Sequence, residues 1–233
     1  ALMKEREVSE FKSRFISRAS HEFRTPLAMI ATSSDLLKSY SDRMTEDQRV
    51  ERIERIQTEI THLTAMLDDL LNISKAQELG TDSLHASTFD VGALFDDVVE
   101  DMRTGLGMEH NFDITREPGV FEFVGDRKLL RRALMNLISN ALKYSERGTR
   151  IGAGLTHGGA ALQITVEDSG IGIPEADQEQ LFEPFHRGGN VANISGTGLG
   201  LAIVKQVVDL HGGEIAVESA VRKGTRFTIT FPY

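Results

Sequence analysis

The sequence of 233 residues contains no cysteine. That excludes disulfides, thiolate metal centres and a cysteine nucleophile, and it suits a reducing compartment. No apolar run approaches the roughly 20 residues that a bilayer-spanning helix needs, and no secretory leader pattern is present. Positive charge is in short supply: 26 Lys and Arg stand against 35 Asp and Glu, for a net charge of −9. A nucleic-acid partner is therefore not expected, because phosphate backbones are held by clustered cations. The most informative absence is local. The first 79 residues contain no glycine and one proline, Pro26, whereas all 21 glycines lie at or beyond Gly80.

A glycine-free, charge-rich segment favours long helices. A glycine-rich one suits tight turns and ligand loops built from backbone. The chain therefore divides into two domains, 1–79 and 80–233, with a polar linker over 76–88. It opens abruptly at Ala1 in helical, charged sequence, as a fragment of a longer protein would. The remaining composition, 40% hydrophobic and 26% charged, is that of a globular protein.

Within the first domain, Ile53, Ile56, Ile60, Leu63, Leu67 and Leu70 recur at alternating spacings of three and four, the signature of a heptad seam. An upstream stripe runs through Val8, Phe11, Phe15, Ala19, Phe23, Leu27, Ile30 and Leu37. The polar link Tyr40–Thr45 joins the two, with Ser41 or Thr45 available to cap the second helix. A helical hairpin buries too little to stand alone. Two copies make a four-helix bundle, so a homodimer is expected. At 100° per residue, His21 lies opposite Ala19 and Phe23 and faces solvent if they face the core. Glu22 can accept a proton from one ring nitrogen and make the other more nucleophilic. Pro26 removes a helical hydrogen bond and bends the rod nearby. A spacer without chemistry remains the competing interpretation of this pattern.

In the second domain, patterning predicts strands near Asn111–Arg116, Phe121–Val124, Arg150–Leu155, Ala161–Glu167, Gly213–Glu218 and Thr225–Phe231. Helices fit Val91–Arg103, Asp126–Ser145 and Leu199–Leu210. Without strict βα alternation, the helices should pack on one face of a sheet. Four constellations fall on this frame. Asn136 and Asn140 stack on one helix face, where a Mg²⁺ ion with phosphate oxygens would satisfy their amides, and Lys143 follows within reach of a phosphate. Asp168-Ser-Gly170-Ile-Gly172 follows an apolar strand; its glycines admit a ligand close to the backbone, and an ionised Asp168 can accept the amino protons of adenine. Gly196-Thr197-Gly198-Leu199-Gly200 opens a helix, where free N–H groups and the dipole favour a polyphosphate. It lacks both the βαβ setting of a dinucleotide fold and the Lys-Ser/Thr ending of a P-loop. Finally, Leu181-Phe182-Glu-Pro184-Phe185-His186-Arg187 precedes a polar, glycine-rich stretch. That stretch resembles a mobile lid, with Phe182 and Phe185 as core anchors.

These segments, in this order, resemble the catalytic core of sensor histidine kinases of two-component systems. Phe15-Ile-Ser-Arg-Ala-Ser-His21-Glu-Phe-Arg-Thr-Pro26-Leu is similar to their H-box, and the four constellations are similar to the N, G1, F and G2 boxes of the GHKL-type ATP-binding domain. The resemblance implies a multidomain α and α+β protein: a dimeric bundle of helical hairpins, followed by an α/β sandwich of the Bergerat type. It implies that His21 accepts the phosphoryl group with Glu22 as base partner, and that Thr25, in a Glu-x-x-Thr motif, serves phosphatase activity. Asn140 matches the Mg²⁺ ligand. Asn136, Lys143, Tyr144 and Arg187 match residues near the phosphates or the nucleotide. Asp168 and Thr225 match the adenine-holding pair, Gly170 and Gly172 line the pocket, and Gly196, Thr197, Gly198, Leu199 and Gly200 cradle phosphates. ATP and Mg²⁺ are the implied cofactors, and an aspartate of a response-regulator receiver domain is the implied phosphoryl acceptor. The implied location is cytoplasmic, with membrane attachment only through a sensor region ahead of Ala1. Phe23, Ser169 and His186 depart from the commoner family residues.

Two other classes compete. A GHKL ATPase of the chaperone or mismatch-repair type places a catalytic Glu where this chain has Asn136, an amide that cannot act as a base. A degenerate scaffold would not need His21, Asn140 and Asp168 intact.

Overall fold

A computed structural model describes residues 2–79, 84–157, 161–191, 194 and 196–232, with side chains described from Ile16 onward except at 69 and 72–79. The chain forms two compact units that divide after Leu71. The expected linker over 76–88 spans 80–83, which lie outside the described residues.

The first unit is built from α1, Leu2–Tyr40, a one-turn 3-10 helix at Ser41–Arg43, and α2, Glu46–Leu79, which runs on past the division. Thr45, one of the two expected caps, starts α2. Its Oγ1 accepts Gln48 N–H at 3.3 Å, and Gln48 Oε1 accepts Thr45 N–H at 3.1 Å. Such a reciprocal box satisfies two otherwise orphaned donors. Pro26 lies inside α1 and is buried. The heptad seam splits. Ile56, Leu63 and Leu70 are half-buried, whereas Ile53, Ile60 and Leu67 stay 46%, 50% and 51% exposed. Met66, absent from the expected seam, is fully buried, and Leu27 of the upstream stripe is exposed. Val8, Phe11 and Phe15 fall outside the described side chains.

The second unit is a sheet covered on one face by helices, as patterning predicts. Its elements are β1 (Ser87–Asp90), α3 (Val91–Thr104), β2 (Asn111–Arg116), β3 (Glu122–Gly125), α4 (Arg127–Lys143), β4 (Arg150–His157), β5 (Ala161–Asp168), α5 (Glu175–Gln178), α6 (Gly200–Leu210), β6 (Glu214–Ala220) and β7 (Gly224–Pro232). Five strands pair in the order β2-β4-β5-β7-β6, and β1 pairs with β3 in a separate ribbon. Only β2 and β4 run parallel within the main sheet. Asp90 and Asp126 cap α3 and α4 by accepting N–H groups of their first turns. Leu130, Leu134, Leu137 and Ile138 of α4 are fully buried, as are the inward strand residues Ile164 and Ile229. Patterning missed β1 and α5, each four residues long, and overran α4 by its cap at one end and Tyr144-Ser145 at the other.

Candidate functional site

The strand period places an acid where the core meets the ligand face. Along β5 the inward series is Leu162, Ile164, Val166 and then Asp168, which is only 8% exposed. Pairing sets Asp168 opposite Thr225 of β7, and Thr225 opposite Ser219 of β6, so three strands bring polar groups to one edge. Asp168 Oδ1 accepts Gly170 N–H at 2.8 Å, and the N–H of Thr225 also reaches the carboxylate. Burial outweighs these bonds and pushes the Asp168 carboxyl up to about 6. Thr225 Oγ1 lies 2.8 Å from Ser219 Oγ, which accepts Ile173 N–H at 2.9 Å. Ser219 was not predicted as part of the site. It stands 46 residues from Ile173, and no local signal connects them.

Three glycines here are required by close approach. A Cβ on Gly170 would come within 2.3 Å of Tyr144 O, and one on Gly172, at φ +66°, within 2.0 Å of Ala220 O. Gly224, at φ +93°, would drive a Cβ to 1.9 Å from Asp168 O. The loop after β5 is thus clamped between the end of α4 and the β6–β7 turn, with Ile171 N–H donating to Tyr144 O and Arg222 N–H to Ile171 O.

On α4, Asn136 and Asn140 lie four apart, both half-buried. Asn136 Nδ2 donates to Gly200 O at 3.4 Å, which joins α4 to the first residue of α6. Lys143 Nζ sits over the Tyr144 ring, 4.9 Å from its centroid, and would lie 2.3 Å from a Cβ on Gly196. Burial, with the Arg187 guanidinium nearby, pushes the Lys143 ammonium below its ordinary pKa, and burial pushes the Tyr144 phenol up. Lys143 faces the glycine segment at Gly196 with the Arg187 guanidinium close enough to act on its charge, and among the described residues neither cation is paired with a carboxylate. Such a cluster favours an anion, and polyphosphate fits it. Amide oxygens at Asn136 and Asn140 are hard donors of the kind Mg²⁺ takes.

In the segment between α5 and α6, several side-chain bonds to backbone hold the described residues. Arg187 Nη2 donates to Val191 O at 2.9 Å and also to Ile194 O, so here the guanidinium ties its own loop. Asn190 Nδ2 donates to Gly172 O at 2.9 Å, and Asp177 Oδ2 accepts Gly189 N–H at 3.0 Å. Gly198, at φ +70°, is pressed against Phe185, itself at φ 63°, and its carbonyl accepts Phe185 N–H at 3.0 Å. Phe182 and Phe185 are half-buried and not the core anchors expected of them; Phe185 instead pins the glycine turn. Thr197 Oγ1 accepts Leu199 N–H at 3.2 Å, and Leu199 is fully buried. Residues 192, 193 and 195 lie outside the described set.

In the first unit, Ala19 is buried and His21 projects outward with its side chain 75% exposed. Its Nδ1 lies 3.8 Å from Glu22 Oε1, a short adjustment from hydrogen bonding. Thr25 is exposed one turn further on. Among the described residues, no helix is long and apolar enough to cross a membrane.

Comparisons with known proteins match two separate stretches of the chain. Residues 11–79 match the family model described as the His Kinase A (phospho-acceptor) domain, and 125–233 match that of the histidine kinase-, DNA gyrase B- and HSP90-like ATPases. The chain is 37% identical over 227 residues to the circadian input-output histidine kinase CikA of Synechococcus elongatus, covering 95% of this chain and 30% of that protein. It is 33% identical over 235 residues to the alginate biosynthesis sensor protein KinB of Pseudomonas aeruginosa, covering 98% of this chain and 38% of that protein. It therefore spans well under half the length of these relatives. Among solved structures, the mycobacterial sensor histidine kinase MprB is 33% identical with a TM-score of 0.56, over 63% of this chain and 97% of that one. The Acinetobacter baumannii histidine kinase AdeS, at 23% identity, shares the fold with a TM-score of 0.70 over 91% of this chain and 97% of that one.

Proposed function

The chain belongs to the sensor histidine kinases, and from that premise we propose that it is an ATP-dependent protein-histidine kinase whose phosphoryl acceptor is its own His21. The observation that carries this reading is His21 itself: an imidazole 75% exposed on a helix, with Nδ1 at 3.8 Å from a carboxylate. As Nε2 attacks the γ-phosphorus, the bond to the ADP oxygen breaks, and Glu22 accepts the Nδ1 proton. This keeps the phosphorylated ring neutral outside its phosphoryl group. Asp168 and Thr225 hold adenine; Lys143, Arg187 and the N–H groups of 196–200 hold phosphates; Asn140 holds Mg²⁺, with Asn136 beside it. Bound Mg²⁺ neutralises phosphate charge, and the protein's part is positioning and electrostatics.

The functional division is 1–79 for dimerisation and phosphoryl acceptance and 80–233 for nucleotide. Ile53, Ile60 and Leu67 recur every seven residues and stay exposed in one chain. A second copy would cover that stripe and complete a four-helix bundle. Phospho-His21 then donates to an aspartate of a receiver domain, and Thr25 orients water when the same surface removes that phosphate. The reaction belongs where ATP and receiver domains meet, in the cytoplasm. Purified chain incubated with γ-labelled ATP and Mg²⁺ tests the reading. Acid-labile, base-stable label on the protein supports the kinase. Free phosphate with an unlabelled protein would assign the site to ATP hydrolysis.

A further inference from the structure

The end of α6 and the start of α4 are joined by a polar knot remote in sequence from the residues assigned above to nucleotide. His211, just past α6, uses both ring nitrogens. Nδ1 lies 2.7 Å from Val207 O, and Nε2 accepts Asp126 N–H at 2.9 Å. A carbonyl on one side and an N–H on the other fix the neutral imidazole with its proton on Nδ1. The ring is wedged between Phe123 and Phe231, with centroids 5.8 and 6.0 Å away. A Cβ on Gly125 would stand 2.6 Å from His211 Cδ2, so the residue before Asp126 has to be glycine for the ring to come this close. Asp126 is buried, and its carboxylate is fully engaged: Oδ1 accepts Lys128 N–H at 2.9 Å and Leu129 N–H at 3.2 Å, and Oδ2 accepts His85 N–H at 3.2 Å.

The second point of contact is the bond from Asn136 Nδ2 to Gly200 O. Ten residues separate Asp126 from Asn136, and eleven separate Gly200 from His211. At 1.5 Å per residue these are spans of about 15 and 16 Å, so α4 and α6 run antiparallel between two matched fixed points. Gly200 at the start of α6, with Gly196 and Gly198 in the loop that leads into it, forms one side of the cradle, and Asn136, Asn140 and Lys143 of α4 form the other. No covalent neighbour fixes the spacing between these two sets; the register of α6 on α4 does.

We propose that His211 and Asp126 are positioning residues for polyphosphate, a bolt that holds the glycine end of α6 in register with the asparagine face of α4. Asp168 and Thr225 are held by the strand ladder and do not depend on that bolt. The proposal rests on reading the cradle as a nucleotide site, and it separates phosphate binding from adenine binding. His211→Phe retains the ring and removes both hydrogen bonds. His211→Asn keeps a donor for Val207 O but is too short to reach Asp126 N–H. His211→Gln offers an acceptor near the position of Nε2.

The full chain and each variant are titrated with Mg·ADP and with adenosine by NMR. Loss of a buried hydrogen bond at the bolt is expected to weaken Mg·ADP roughly tenfold in His211→Phe and His211→Asn, with adenosine affinity within about twofold of wild type and most of the loss recovered in His211→Gln. Equal weakening of both ligands, unchanged Mg·ADP affinity, or a glutamine variant no better than asparagine would overturn the proposal. If the phenylalanine variant does not fold, the asparagine–glutamine pair decides. A wild type that binds neither ligand overturns the nucleotide reading and this proposal with it.

Discussion

Replacing Asp168 by Asn is expected to make the ligand-free protein more stable while making it a poorer nucleotide binder. Asp168 is 8% exposed, and burial lifts its carboxyl from 3.8 to about 6. Above pH 6 the group is ionised both folded and unfolded, and holding that charge in the fold costs about 3 kcal/mol. As the pH falls through about 6, the folded state takes up a proton before the unfolded state does. The cost then shrinks, and it is gone near the unfolded value of 3.8. The bonds from the Gly170 and Thr225 N–H groups are already contained in that shift, but Asn has one acceptor oxygen where the carboxylate has two, and the amide NH₂ it brings to the buried edge has to find an acceptor, which offsets about 1–2 kcal/mol of the gain. A net stabilisation of about 1–2 kcal/mol above pH 7 remains, a rise in melting temperature of roughly 3–6 °C for a unit of this size. Scanning calorimetry of the ligand-free protein at pH 8 and pH 4.5 measures it. The variant's advantage should be present at pH 8 and lost at pH 4.5, and ATP affinity should fall roughly tenfold or more at pH 8. An Asn variant less stable than wild type at pH 8, or an advantage independent of pH, would refute burial of an ionised carboxylate as the cause.

Gly224→Ala should destabilise the second unit by roughly 2–4 kcal/mol, because its φ is +93° and the new methyl meets Asp168 O at 1.9 Å; thermal unfolding of the variant reads this directly. Ile60→Glu, on the exposed heptad stripe, should shift the protein from dimer to monomer in sedimentation while leaving nucleotide binding by each chain in place. Thr25→Ala should keep phosphorylation of His21 but lose acceleration of receiver dephosphorylation, followed as decay of a labelled cognate regulator with ADP present.

The parts of the site that lie within one element could be read from the sequence. Asp168 follows an alternating strand, and its inward place follows from period two. Asn136 and Asn140 share a helix face by spacing alone. His21 faces outward because Ala19 faces inward. What the sequence hid depends on partners far along the chain. Ser219 and Asn190 enter the site through bonds to Ile173 and Gly172, and the His211–Asp126 bond spans 85 residues. The strand β1 is four residues long and paired only with β3, too short for a period to register. On α2, periodicity identified an apolar stripe but not its division into a covered and an open side. Met66 is buried and Leu67 exposed, a division that a count of spacings along one helix cannot supply.

The central claim is that His21 carries the phosphoryl group, and mass-spectrometric mapping of the wild type and of His21→Gln after incubation with Mg·ATP tests it most directly. His21 is exposed, so the substitution is expected to leave folding, dimerisation and ATP binding intact. The account predicts a phosphoryl group on the peptide containing His21 in the wild type and none anywhere in the variant. Phosphoryl transfer that persists in His21→Gln, or that maps to another residue in the wild type, would contradict it.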